Sequence, residues 1–186
     1  AAAASGGVLT HDDLRAYEPR WVAPLAVDVG RGETLITMPP PSSGGVALGQ
    51  IITIVRTVLA REGIRDRSDP RYHHVLVEAM QHAFADRAEH LADPEFAHVP
   101  VQKLLDRRNL EELASRIDLA VTGEALTYGS MSPPPDDDGT SHFSVVDGDG
   151  WVVAATETIN TSFGSLVTVP GYDFALNNQL DDFTTP

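Results

Sequence analysis

The sequence predicts an α+β fold, and three observations carry that reading. Apolar side chains recur at the i, i+3, i+4, i+7 spacing of helices over much of residues 48–117. Two apolar runs, Ser141–Val146 and Trp151–Thr156, flank the turn Asp147-Gly-Asp-Gly150 as the arms of a β-hairpin. A further strand-like stretch, Leu25–Met38, precedes the helices, so strands bracket a helical middle. A length of 186 residues suits one domain.

The elements follow in chain order. Thr10, with Asp13 three residues on and Leu14 after it, is a helix-start signal, and Pro19 and Pro24 keep that helix short. In Leu25–Met38, Val27 and Val29 alternate around Asp28, and Gly30 to Gly32 makes a turn before Thr34-Leu-Ile-Thr37. Met38-Pro-Pro-Pro-Ser-Ser-Gly-Gly45 reads as irregular, because three prolines remove backbone donors and fix φ. Leu48, Ile51, Ile52, Val55, Val58 and Leu59 form the predicted buried face of a helix ending near Gly63. A second helix runs from about Arg71 to Leu91, with Leu76, Ala79, Met80 and Ala83 on one face. A third uses Leu104, Leu105, Leu110, Leu113 and Ile117 and ends before Gly123. Ser130–Gly139, acidic and proline-rich, reads as an exposed connector into the hairpin.

Composition excludes several functions. A formal net charge of −14 argues against a nucleic-acid partner held through phosphates and against attraction to anionic lipid. No run of about 18 apolar residues is present, so no membrane segment is predicted. The chain has no cysteine, which removes disulfides, thiolate zinc sites and cysteine nucleophiles. It opens without methionine and so reads as a cut or processed end. No metal or other cofactor is predicted: His73 and His74 are adjacent and face different sides of a helix, and His82 and His90 read as surface or boundary histidines. Asp136 to Asp138 read as solvated carboxylates.

The chemistry concentrates at Gly139-Thr140, where the acidic connector runs into a threonine that opens a strand expected to be buried. If that peptide bond breaks, Thr140 gains a free α-amine beside its own hydroxyl. An α-amine with a pKa near 8 can take the hydroxyl proton at neutral pH, so nucleophile and base lie in one residue. A linker that happens to end in threonine is the competing reading. A three-residue hairpin loop, Gly148 to Gly150 with Gly150 left-handed, sets Thr158 opposite Thr140 and points Asn160 to the same face. A two-residue loop sets Glu157 there instead. His142 shares the face of Thr140 if the alternation is unbroken, but no catalytic role is expected of it. Leu176-Asn-Asn-Gln-Leu-Asp-Asp-Phe183 clusters polar groups that either converge on a ligand ammonium or form a solvated turn.

Five segments in order resemble the γ-glutamyltranspeptidases: Met38–Gly45, Ala79-Met-Gln-His-Ala-Phe-Ala-Asp-Arg87, Thr140-Ser-His-Phe-Ser-Val-Val-Asp147, Asn160-Thr-Ser-Phe-Gly164 and Asn177-Asn-Gln-Leu-Asp-Asp-Phe183. The resemblance implies an N-terminal-nucleophile hydrolase with a four-layer αββα sandwich. It implies that the precursor cuts itself between Gly139 and Thr140, leaving residues 1–139 as the end of a large subunit and 140–186 as the start of a small one, paired as a heterodimer. Thr140 is then the nucleophile that forms a γ-glutamyl ester, Thr158 its hydrogen-bonding partner, and Asn160, Gln179 and Asp182 the groups that hold the donor's α-amine. Pro39 to Gly45 matches a structural loop; Asp86 and Arg87 match a motif with no chemical role assigned, and an intrachain ion pair is the simplest account. Implied substrates are glutathione or related γ-glutamyl compounds, with an amino acid, a peptide or water as acceptor. The implied location is periplasmic or extracellular. Relatives acting on cephalosporin side chains or poly-γ-glutamate are the nearest alternative, and a non-catalytic scaffold domain that keeps the motifs is another. The resemblance also implies that an arginine for the donor carboxylate and the oxyanion-hole glycines lie outside this chain, so that the slice alone has little activity.

Overall fold

The computed structural model describes residues 6–124, 128–129 and 140–182, with Asp182 described by its backbone alone. The connector 130–139, Gly139 included, lies outside the described residues. In place of the single domain suggested by length, the chain forms two compact units, residues 21–132 and residues 1–20 with 133–186. The physical reason is that each satisfies itself: one closes an apolar core between helices, the other is bound by a local hairpin and the turns behind it.

In the helical unit, β1 (Leu25–Asp28) and β2 (Thr34–Thr37) pair antiparallel, with Leu25 opposite Thr37 and Asp28 opposite Thr34. The Asp28 carboxylate accepts from the Gly30 amide at 2.8 Å and so organises the turn. The helices α2 (Gly44–Arg61), α3 (Pro70–His90), α4 (Val101–Leu104) and α5 (Arg107–Arg116) follow. Ile54, Val55 and Val58 of α2 pack with Val75 and Ala79 of α3, with Leu110, Leu113 and Ala114 of α5, and with Ile117. Although α2 is 18 residues long with a mean hydropathy of 1.2, these contacts make it a core helix. The Arg61 guanidinium closes the end of α5, donating to the carbonyls of Ala114 at 3.0 Å and Ile117 at 3.1 Å.

Four expectations change here. The inward face of α2 keeps Val55 and Val58 of the predicted row but not Leu48, which is exposed; Val46, Ala47, Gln50 and Ile54 are buried with them. Gly45 is one cause: a Cβ there would lie 2.0 Å from the Met38 carbonyl, and one at Gly49 would lie 3.1 Å from Val27, so the glycine side of the helix approaches the end of β2 and Val27 of β1. The helix also starts inside the Met38–Gly45 segment, at Gly44. The third predicted helix is two, because the Asp106 side chain accepts from the amides of Arg108 and Asn109 and begins a new helix there. Finally, His82 is buried rather than at the boundary.

Asp86 and Arg87 do not need each other. Asp86 accepts from the Gln50 amide at 2.6 Å, and Arg87 donates to the Ser43 hydroxyl at 3.1 Å. Both side chains thus fasten α3 to the first turns of α2 and the residue before it.

In the second unit, Thr10 and Asp13 form the predicted capping box of α1 (His11–Ala16). The hairpin pairs β3 (Thr140–Val146) with β4 (Val152–Thr158). A short 3-10 helix, Gln179–Asp182, closes the described chain.

Candidate active site

Turn chemistry sets the site's geometry. Asp147 accepts from the amides of Asp149 and Trp151, both at 2.9 Å, and Gly150 takes φ 87°. This is the three-residue loop with a left-handed glycine, and it aligns Thr140 with Thr158 and Val146 with Val152. Thr140, His142 and Ser144 therefore share one face with Thr158 and Thr156. The strand that Thr140 opens was expected to be buried, yet β3 is exposed along its length within this chain. A two-stranded ribbon covers neither of its own faces, and that is the physical reason.

Across the first rung, the Thr140 hydroxyl lies 3.1 Å from Thr158 Oγ1, as donor to it. The Asn160 amide donates to the same Thr158 oxygen at 2.9 Å. With that oxygen held from below, the Thr158 hydroxyl is fixed against Thr140, and the proton between the two can rotate to serve either. Asn160 arrives differently from the expectation of simple alternation. It lies beyond β4, is buried, and takes φ 74°, a left-handed conformation that asparagine tolerates better than most residues. Its side-chain amide donates to the Asn178 carbonyl at 3.4 Å.

Asn178 is the residue that pattern reading missed. Its Oδ1 accepts from both the Thr161 amide and the Thr161 hydroxyl, each at 3.2 Å, and its own amide donates to the Ile159 carbonyl at 3.3 Å. One side chain thereby ties the turn after β4 to the Asn177–Asp182 segment. The signal was present in the polar cluster, but spacing does not reveal which asparagine is a strut. Gln179 follows directly, half-buried at the start of the 3-10 helix, its amide donating to Asn177 Oδ1 at 3.1 Å. Asp182 ends that helix. Hydrogen bonds thus run from Thr140 through Thr158 and Asn160 to Asn178, the residue before Gln179.

His142 is engaged on the same face, with Nδ1 2.7 Å from Thr156 Oγ1 and Nε2 3.2 Å from Ser144 Oγ. Among the described residues, no cluster of three His, Asp or Glu side chains is arranged to hold a metal ion.

The whole chain, residues 1–186, matches the Gamma-glutamyltranspeptidase family. It belongs to that family. It is 41% identical over 179 residues to a Glutathione hydrolase proenzyme of Pseudomonas aeruginosa, covering 96% of this chain and 31% of that protein. An Acylase ACY 1 proenzyme of Pseudomonas sp. strain SE83 is 36% identical over 182 residues, covering 97% of this chain and 31% of the relative. Among solved structures, the γ-glutamyltranspeptidase from Pseudomonas nitroreducens complexed with L-DON matches with a TM-score of 0.63 at 35% identity, covering 68% of this chain and 38% of that one. The α+β fold is therefore that of a γ-glutamyltranspeptidase segment, and the chain spans about a third of the length of the curated relatives it matches.

Proposed function

We propose that this chain is the part of a γ-glutamyl-transferring enzyme that surrounds its own cleavage junction, with residues 1–139 belonging to the large subunit and 140–186 to the small one. The observation that carries this reading is the pairing of the Thr140 and Thr158 hydroxyls, 3.1 Å apart, at the first rung of β3 and β4. In the precursor, Thr140 Oγ attacks the Gly139 carbonyl; the C–N bond breaks as the C–O bond forms, and water then hydrolyses the ester. The heterodimer so produced carries a free α-amine on Thr140.

In turnover, that amine takes the hydroxyl proton as Oγ attacks the γ-amide carbon of glutathione or a related γ-glutamyl compound. The leaving amine receives the proton, and a γ-glutamyl ester remains on Thr140. Water or the amine of an amino acid or peptide then takes up the acyl group. Thr158 holds Oγ in line throughout. Asn160, Gln179 and Asp182 hold the donor's α-ammonium, two through amide oxygens and one through a carboxylate. The four-layer αββα sandwich of N-terminal-nucleophile hydrolases is the parent fold in this reading, and no cofactor takes part.

The match to an acylase proenzyme supports a second reading, acyl transfer from a different amide, such as a cephalosporin side chain. The amide and carboxylate set favours a donor bearing an α-amine.

Intact mass of the full-length precursor under denaturing conditions, after incubation near neutral pH, tests the reading. Two species meeting at Gly139 and Thr140 are expected, with Thr140→Ala leaving one species and lowering turnover of a γ-glutamyl anilide by about 1000-fold or more. Cleavage or turnover that survives Thr140→Ala overturns the assignment and leaves the scaffold reading in its place.

A further inference from the structure

Two polar joints lie outside the apolar core and the Thr140–Thr158 rung. In the helical unit, the buried Tyr128 hydroxyl donates to Glu78 Oε2 at 2.5 Å, and its ring meets the His82 imidazole edge-on with centroids 4.9 Å apart. None of these three residues is among the groups proposed to act on the donor. In the second unit, the joint between residues 159–165 and 176–179 borders two groups that are, Asn160 and Gln179. Thr161, which follows Asn160, is fastened to Asn178, which precedes Gln179.

That joint is made in two places. Farther from the site, the Leu176 carbonyl accepts from the Ser165 amide at 2.8 Å and from the Ser165 hydroxyl at 3.0 Å. A Cβ on Gly164 would stand 2.3 Å from the same oxygen, so the two backbones approach closely there. This fastening does not involve the Asn178 side chain and remains when that side chain is changed. Beside the site, the half-buried Asn178 accepts at Oδ1 from the Thr161 amide and hydroxyl, while its carbonyl accepts from Asn160 Nδ2. Asn160 takes φ 74°, and a left-handed asparagine stays so only where its surroundings hold it. A side chain of similar size without an acceptor at position 178 takes Oδ1 away from both Thr161 donors, and the turn that carries Asn160 can then relax.

An ammonium group has three N–H donors and is held well only where acceptors from separate segments converge on it. A shift of about 1 Å between those segments weakens its binding. The same shift leaves the Thr140–Thr158 rung in place, because the β3–β4 ladder sets that pairing. We propose that Asn178 is a positioning residue that sets the preference for donors bearing an α-amine. The proposal rests on the reading of Asn160, Gln179 and Asp182 as the α-ammonium site. Asn178 acts through its two neighbours in that site, by fixing where Asn160 stands relative to Gln179.

The test gives the full-length enzyme two donors, a γ-glutamyl anilide and a glutaryl anilide, which has the same acyl chain without the α-amine. The readout is the ratio of kcat/KM for the first to kcat/KM for the second, in which any loss of folded enzyme cancels. Unaltered enzyme is expected to show a ratio of about 100 or more. Asn178→Leu should lower it about ten-fold through a higher KM for the γ-glutamyl anilide, with turnover of the glutaryl anilide within about two-fold. Thr161→Val removes one of the two donors to Asn178 Oδ1 and should lower the ratio about three-fold. Asn178→Asp keeps an acceptor in the same place and should leave the ratio no lower than about half the unaltered value. An unchanged ratio in Asn178→Leu, or an equal fall in Asn178→Asp, overturns the proposal while the α-ammonium reading stands. If Asn178→Leu does not fold, Thr161→Val decides, and an unchanged ratio there overturns the proposal as well. Unaltered enzyme that turns over both anilides equally removes the α-ammonium reading and the proposal with it.

Discussion

The helical unit and the hairpin unit hold their functional groups by opposite means. In the first, α2, α3 and α5 enclose Ile54, Val58, Val75 and Leu110, and burial keeps the parts in place. In the second, β3 is exposed throughout, and Thr140 meets Thr158 because a turn and a ladder of backbone hydrogen bonds count residues correctly. Burial responds to volume, whereas register responds to parity. The same truncation should therefore act on stability in one unit and on geometry in the other.

The largest contrast is available from apolar truncations in this chain. Ile54→Ala, at a fully buried site, is expected to lower the free energy of unfolding by about 2–5 kcal/mol in denaturant titration. Val153→Ala, on a hairpin residue 56% exposed, should change it by about 0.5 kcal/mol or less. Equal losses would break the comparison. In the full-length enzyme, Thr158→Val keeps the shape of the first rung and removes its hydroxyl. A fall in kcat of about 10- to 100-fold is expected with the thermal midpoint nearly unchanged. A loss confined to stability would mean that the rung is structural.

The helical unit should also answer to pH at its polar grip. Burial, followed by the bond to Glu78, pushes the Tyr128 hydroxyl up to about 12 from its ordinary 10.0. The folded state thus favours the neutral phenol. Its contribution is fully present below pH 10 and is lost as pH rises toward 12, a decline of about 2–3 kcal/mol. Tyr128→Phe should flatten that limb of the stability curve. Burial chiefly, and Arg116 secondarily, depress the His82 imidazole below its ordinary 6.5, against the opposing pull of Glu78 and Asp86. The folded state therefore favours the neutral ring, and stability should fall as pH drops below 6.5. His82→Phe should lessen that smaller slope.

How much of this was legible in the sequence follows from the same division. The hairpin register was narrowed to two loop lengths, one setting Thr158 and the other Glu157 opposite Thr140, and the left-handed Gly150 decides for Thr158. Asn160 was expected on that face by alternation, yet it is held by a left-handed turn beyond the strand, which no period-two pattern encodes. The face of α2 was read correctly at Val55 and Val58 and wrongly at Leu48, because Gly45 and Gly49 decide which side of its first turns approaches the strands. His82 read as a boundary residue because its partner, Tyr128, lies far along the chain and a helical period carries no record of it. Asp106 broke the third helix through a cap that its apolar spacing concealed.

Loops ordinarily gain and lose residues freely, since little is packed behind them. The turn at Gly148–Gly150 is denied that freedom. One residue more or fewer there would shift Thr158 out of line with Thr140, although no atom of the turn lies near either hydroxyl. Comparison of lineages should accordingly find substitutions in this turn far more often than changes in its length, with the nucleophile's own constraint extended to the distant end of the ribbon.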